Sequence, residues 1–226
     1  LPTASAKYEL YGGDRHGDNL YANCILALDA RTGKKLWHYQ TTHHDVWDFD
    51  PDAAPQLATV KQGGRTVDVV ALASKNGFLF VFDRVTGKPV WPIEERPVPQ
   101  STTPGERTSP TQPFPTKPPA FDRQGSTLDN LIDFTPELRQ EALAIVKEYV
   151  TGPLFTPPTV SKIDGPLGTL MAPSQDGGSN WPGGSFDPET GILYVASQGS
   201  VVSKGLVAPL PGQSDMAYVE GNAVTG

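Results

Sequence analysis

Between His43 and Asp50 the chain reads His-His-Asp-Val-Trp-Asp-Phe-Asp, placing two imidazoles, three carboxylates and an indole within eight residues. Asp48, beside a large aromatic, suits a base held in a partly desolvated pocket. Lys75, at the end of a second apolar run, suits an electrophilic partner. A carboxylate base with a cation nearby can take a proton from a substrate and stabilise charge that develops elsewhere. The competing assignments are a carboxylate that caps a turn and a solvated loop lysine. His43-His44-Asp45 has the ligand types of a transition-metal site, but neighbouring residues of a strand point to opposite faces, so the two imidazoles do not converge on one ion. His44 and Asp45 therefore read as structural supports. Asp176-Gly177-Gly178 lacks the density of oxygen ligands that a calcium loop needs.

The elements that must position these residues announce themselves by repetition. Ile25–Trp37 and Phe78–Trp91 both carry Asp-x-x-Thr-Gly-x-x-x-Trp, and Phe186–Val195 repeats Asp-x-x-Thr-Gly without the Trp. An apolar run enters, Asp and Gly make the turn, and a second run leaves, which predicts hairpins at about 25–39, 78–91 and 184–197. Recurring hairpins with a Trp are the pattern of a β-propeller, with Trp37 and Trp91 packed between blades. Val67–Ala73 reads as a further strand after the Gly63-Gly64 turn. Pro92–Pro119 holds nine prolines and reads as a long extended loop, part of a Pro-rich insertion over 92–134. Thr135-Pro136-Glu137 opens one helix near 136–149, with Leu138, Ala142, Ile145, Val146 and Tyr149 on one face. From Gly199 onward no pattern is visible.

Composition narrows the classes. Gly and Pro at 23 each favour turns and loops over long helices, and 37% hydrophobic residues are enough for a core. A net charge of −7 argues against a nucleic-acid partner. No apolar stretch reaches the ~18 residues of a membrane span. Cys24, the lone cysteine, sits in an apolar run and reads as a buried inert thiol. Arg15 and Asp18-Asn19 read as fixing a turn before the first strand. The opening residues Leu1–Ala6 show neither Met nor a charged leader, which reads as a processed product or a fragment.

The motifs together resemble a known family. Ala27-x-Asp29-x-x-x-Gly33-x-x-x-Trp37 resembles the tryptophan-docking motif of quinoprotein dehydrogenases. Trp37–Asp48 and Ser74-Lys75-Asn76-Gly77-Phe78 resemble active-site stretches of pyrroloquinoline-quinone (PQQ)-dependent alcohol and glucose dehydrogenases, closest to the membrane glucose dehydrogenase branch. Arg15–Asn19, Pro110–Phe114, Phe155–Pro158 and Gly178–Trp181 match in family order. The resemblance implies an all-β fold in which residues 1–226 are part of one propeller domain, about three blades of an eight-bladed whole. It implies PQQ and calcium as cofactors, Asp48 as the base, Lys75 at the quinone oxygens, and Asn180 and Trp181 against PQQ. It implies that the calcium ligands lie largely outside this chain; one of them would fall near Ala6, which cannot ligate.

On this reading the substrate is a sugar or alcohol, the acceptor a quinone or cytochrome, and the location periplasmic. Two alternatives stay open: a non-catalytic propeller that serves as a scaffold for partners, and an inactive fragment of the enzyme. The hairpins suit all three; the Asp48–Lys75 pair and Asn180-Trp181 favour the enzyme.

Overall fold

The computed structural model describes residues 1–223. Its regular structure is almost all short strands, mostly paired antiparallel, joined by long turns and loops. Strands β1 (Cys24–Leu28) and β2 (Lys35–Gln40) pair as a hairpin, with Cys24 opposite Gln40. Strands β3 (Gln56–Gln62), β4 (Arg65–Ala73) and β5 (Leu79–Asp83) form a three-stranded meander with β4 in the centre. A further hairpin pairs Gly184–Asp187 with Ile192–Val195.

The Asp-x-x-Thr-Gly turn recurs with near-identical geometry. Asp29 Oδ1 accepts from the Thr32 amide and hydroxyl, both at 2.7 Å, and the Gly33 amide closes onto the Asp29 carbonyl at φ +70°. Asp83, Thr86 and Gly87 repeat this at φ +71°; at Asp187 the Glu189 amide and the Thr190 hydroxyl take one carboxylate oxygen each, and Gly191 closes the turn at φ +72°. A short side chain that mimics the backbone acceptor, followed by a residue free to take positive φ, is sufficient to reverse the chain.

From Val69 to Ala73 the central strand β4 is buried on both faces, and its two-residue alternation divides the core. Val70 and Leu72 join Ile25, Trp47, Phe49, Phe80, Phe82, Phe155 and Met171 in the main cluster, while Val69 and Ala71 join Val81 and Val90 in a second. Trp37 leans from β2 onto the next unit. Its ring centroid lies 6.0 Å from that of Phe82, and its indole N–H donates to the Arg84 carbonyl at 3.3 Å. The ring covers Gly87 so closely that a Cβ there would sit 2.5 Å from it. The Asp83–Gly87 turn is therefore both a reversal and the seat for the preceding unit's Trp. Trp91 packs on the second cluster, so both Trp residues lie between sheets as expected.

Three expectations need correction. The prolines of 92–119 do not prevent a sheet: β6 (Ile93–Pro97) and β7 (Thr111–Pro115) pair in full register. Pro113 and Pro115 are two apart, and the Thr116 amide reaches the Pro92 carbonyl at 3.0 Å. The missing N–H groups of 113 and 115 thus face away from the partner, where none is needed. After Asp83 the return arm forms only an isolated bridge, Phe82 to Pro89, with Asp83 N–H to the Lys88 carbonyl and Val90 N–H to the Val81 carbonyl; the next amide due on that edge is that of Pro92, which has no N–H to give. The stretch after Gly199 does hold a strand, Val202–Val207, which pairs with Gly168–Met171, Thr159–Val160 and Val219–Glu220. Non-local partners, invisible in a local pattern, make that strand.

Helix α1 (Pro136–Val146) begins as expected, with the Thr135 hydroxyl accepting from the Leu138 amide at 3.3 Å. Only Val146 of its apolar face is buried. Among the described residues no helix is long and apolar enough to cross a membrane.

Gly87→Ala should lower unfolding stability by about 2–4 kcal/mol, the left-handed backbone cost plus overpacking against Trp37. Gly33→Ala, at the same φ but in open space, should lose only ~1 kcal/mol. Urea midpoints of the two variants measure the docking contact by difference.

Candidate active site

The segment that follows β2 is folded around one carboxylate. Asp45 is 1% exposed, and its oxygens accept from the Ser5 hydroxyl (2.5 Å), the Asn23 amide group (2.8 Å) and the Trp47 and Phe49 backbone amides (both 2.9 Å). Burial pushes its carboxyl pKa up, and these donors pull the other way. The turn so fixed sends Trp47 and Phe49 into the core, where Trp47 donates to the Thr156 carbonyl at 2.9 Å and stacks on Phe49. Asp48, between them, is held at φ +60°. That conformation is uncommon for any residue but glycine, and Asp is among those that tolerate it.

Lys75 arrives from the other direction. Ser74–Phe78 is a tight turn just past β4, with Gly77 N–H to Ser74 O at 3.0 Å. The Lys75 ammonium lies 3.0 Å from Asp48 Oδ2, 2.6 Å from Asp50 Oδ1 and 3.9 Å from Asp52 Oδ2. The loop at Gly177-Gly178 braces it: the Gly178 amide donates to the Lys75 carbonyl at 2.7 Å, and Gly177 lies against the lysine stem.

One ammonium faces three carboxylates in a half-dry setting, and the charges respond. Burial raises the Asp48 carboxyl, Lys75 offsets part of this, and Asp50 adds to it, leaving Asp48 pushed up to about 6. Asp52 is likewise pushed up to about 6, chiefly by burial. Burial alone would lower the Lys75 ammonium; hydrogen bonding and charge from Asp50 and Asp48 outweigh it and hold its pKa above the ordinary lysine value. The Asp52 Oδ1 atom is buried with no hydrogen-bond partner.

These groups open into a cleft of about 430 Å3, with Lys7 and Glu9 on one wall and Trp181, 80% exposed, at its edge. A carboxylate near neutrality beside a fixed cation can accept a proton and steady a developing negative charge. A larger depression of about 1000 Å3 beside α1, lined by residues such as Ala144, Ile163 and Leu167, has no comparable convergence of buried charge.

Of the residues singled out in the sequence, Asp48, Lys75 and Trp181 share this cleft. Asn180 turns to its own loop: its side-chain amide donates to the Asp176 carbonyl at 2.8 Å and its oxygen accepts from the Trp181 amide at 2.7 Å. His43 and His44 part company, His43 toward Gln40 and Glu95 and His44 toward Gly17 and Glu106. Among the described residues no three His, Cys, Asp or Glu side chains converge as metal ligands. Sequence reasoning missed Asp50 and Asp52 as partners of Lys75; their two-residue spacing from Asp48 in an extended run was the available signal.

Comparison with known proteins bears on this geometry. A family model described as "PQQ: Glucose/ethanol/alcohol dehydrogenase, beta-propeller domain" matches residues 1–223. The quinoprotein glucose dehydrogenase of Escherichia coli strain K12 is 38% identical over 206 residues, covering 86% of this chain and 24% of that protein. Quinoprotein glucose dehydrogenase A of Acinetobacter calcoaceticus is 33% identical, over 96% of this chain and 27% of its own length. The crystal structure of quinohemoprotein alcohol dehydrogenase from Comamonas testosteroni superposes with a TM-score of 0.55 at 26% identity, covering 91% of this chain and 24% of that one. The chain thus spans about a quarter of the length of the relatives it matches.

Two outcomes are expected. Asp45→Ala should cost about 3 kcal/mol or more, because it strands several buried donors at once, and thermal unfolding will read it. For Asp52 the folded pKa lies above the unfolded carboxylate value of ~3.9. The folded state therefore takes the proton first, and stability from this group is full below about pH 4 and lost as pH rises through about 6. Asp52→Asn should raise the melting temperature of the cofactor-free protein at pH 7 and leave it nearly unchanged at pH 4.

Proposed function

Because the chain belongs to the β-propeller domain family of PQQ-dependent glucose, ethanol and alcohol dehydrogenases, we propose that the complete protein oxidises a sugar or alcohol, with Asp48 as general base and Lys75 beside the quinone oxygens. The observation that carries this is the Asp48–Lys75 contact of 3.0 Å, formed between two separate segments at the wall of an open cleft. A scaffold has no use for a half-buried carboxylate near neutrality.

The residues present fit the cofactor. Lys75 presents a positive charge to the cleft, and the exposed indole of Trp181 offers a flat apolar face at its edge, suited to a planar ring system. Lys75 and Trp181 would hold PQQ, and Asn180 would orient the loop that carries Trp181. PQQ, when bound, supplies the two-electron acceptor for the substrate hydride. Calcium belongs to the same reading, with its oxygen ligands supplied largely from outside this chain, since among the described residues no three ligand side chains converge. A periplasmic setting and a quinone or cytochrome acceptor complete the proposal.

The chain's own residues have defined tasks. Asp48 Oδ2 accepts the substrate hydroxyl proton, which its pKa of about 6 allows near neutral pH. Lys75 stays charged and fixes the carboxylate, while its positive charge favours negative charge developing on the oxygens it faces. Asp50 keeps the ammonium in place when substrate or cofactor competes for it.

In the complete, PQQ- and calcium-loaded protein, Asp48→Asn should lower kcat by about 10²–10⁴-fold and leave PQQ affinity nearly unchanged. The amide keeps the shape and loses the basic site. Lys75→Ala should weaken PQQ binding and turnover together. Since the ionised form of Asp48 is the base, kcat should fall as pH drops through about 6 and level off above it. Wild-type turnover in Asp48→Asn would remove this residue from the mechanism.

A further inference from the structure

Glu106 sits in the Pro-rich segment, outside the cleft and distant from Asp48 in sequence. Its side chain is 3% exposed and meets that of His44, 2% exposed, with Oε1 at 2.7 Å from Nε2. Its other oxygen accepts the Gly12 amide at 2.5 Å. On the far side of the ring, His44 Nδ1 lies 2.7 Å from the Gly17 carbonyl. The ring is thus held at both nitrogens, by a carboxylate oxygen on one edge and a backbone carbonyl on the other.

This pair grips the start of the segment that ends in the base. His44 is itself held at φ +41°, next to Asp45, whose backbone carbonyl accepts from Arg15 at 2.5 Å. A buried ion pair is a weak source of stability compared with apolar packing of the same size. What it adds is direction: two short contacts on opposite edges of one ring allow that ring a single orientation. Burial would raise the Glu106 carboxyl, but the bonds from His44 and Gly12 outweigh it and keep it below the usual range.

We propose that Glu106 is a positioning residue which, acting through His44, holds the 44–48 turn in the register that brings Asp48 to Lys75. The Pro-rich segment is then part of the catalytic apparatus without touching the cleft. The inference rests on the reading of Asp48 as the base.

The test uses the complete PQQ-loaded protein and the variants Glu106→Ala and Glu106→Gln. Glu106→Ala should lower kcat about tenfold or more, the scale of a small misplacement of a reacting group, with KM and PQQ affinity within about twofold. Hydrogen exchange, followed by mass spectrometry, should accelerate in the peptide spanning 44–50 and stay unchanged in the sheets. Glu106→Gln should fall between, since its amide cannot accept from both the Gly12 amide and the His44 ring. Wild-type kcat per PQQ-loaded site in Glu106→Ala, or acceleration spread evenly along the chain, overturns the proposal. If Glu106→Ala does not fold, unchanged kcat and exchange in Glu106→Gln overturn it. Asp48→Asn run alongside separates the two readings: turnover retained there counts against Asp48 as base, while localised exchange in the Glu106 variants still reports the grip on the turn.

Discussion

The buried carboxylate of Asp45 is the contact on which the site depends. It accepts hydrogen bonds from Ser5, Asn23 and the backbone of Trp47 and Phe49, and so ties residues flanking β1 to the turn that follows β2. Without it the 45–49 backbone has no reason to adopt a conformation in which Trp47 and Phe49 enter the core while Asp48 faces outward at positive φ. The apolar cluster supplies the driving force for burial; Asp45 decides which side chains are buried.

The cleft shows the opposite economy of charge. There, Asp48, Asp50 and Asp52 crowd one ammonium, and two of these carboxyls are pushed up to about 6. Keeping them together disfavours the folded state at neutral pH, and local destabilisation of this kind is common where a protein holds a base ready. Asp45 and Asp48, three residues apart, thus illustrate two settings of a carboxylate: satisfied by several donors, or short of donors beside like charges.

The scaffold explains how such a site is carried. Each Asp-x-x-Thr-Gly turn is self-contained, and the Trp that docks on Gly87 joins one unit to the next. The segments bearing Asp48 and Lys75 depart from β2 and β4, strands of the two units so joined. The remaining alignment comes from non-repeating parts: the Gly177-Gly178 loop against Lys75, and Glu106 against His44.

Legible in the residues alone are the turns, the placement of Trp37 and Trp91 between sheets, the start of α1 and the convergence of Asp48 with Lys75. Those features are written in residues close together: an Asp that caps its own turn, a Gly that takes positive φ, a Thr and Pro that open a helix, or a family motif carried in a short run. Not legible there are the prolines of β6 and β7 pointing their missing donors outward, the strand Val202–Val207, the sharing of Lys75 by Asp50 and Asp52, and the reach of Glu106 to His44. Each of these depends on a partner supplied by a distant segment. A strand edge or an ion pair is defined by two pieces of backbone that come together through burial of the core, and a local pattern of residues carries no record of which pieces those are.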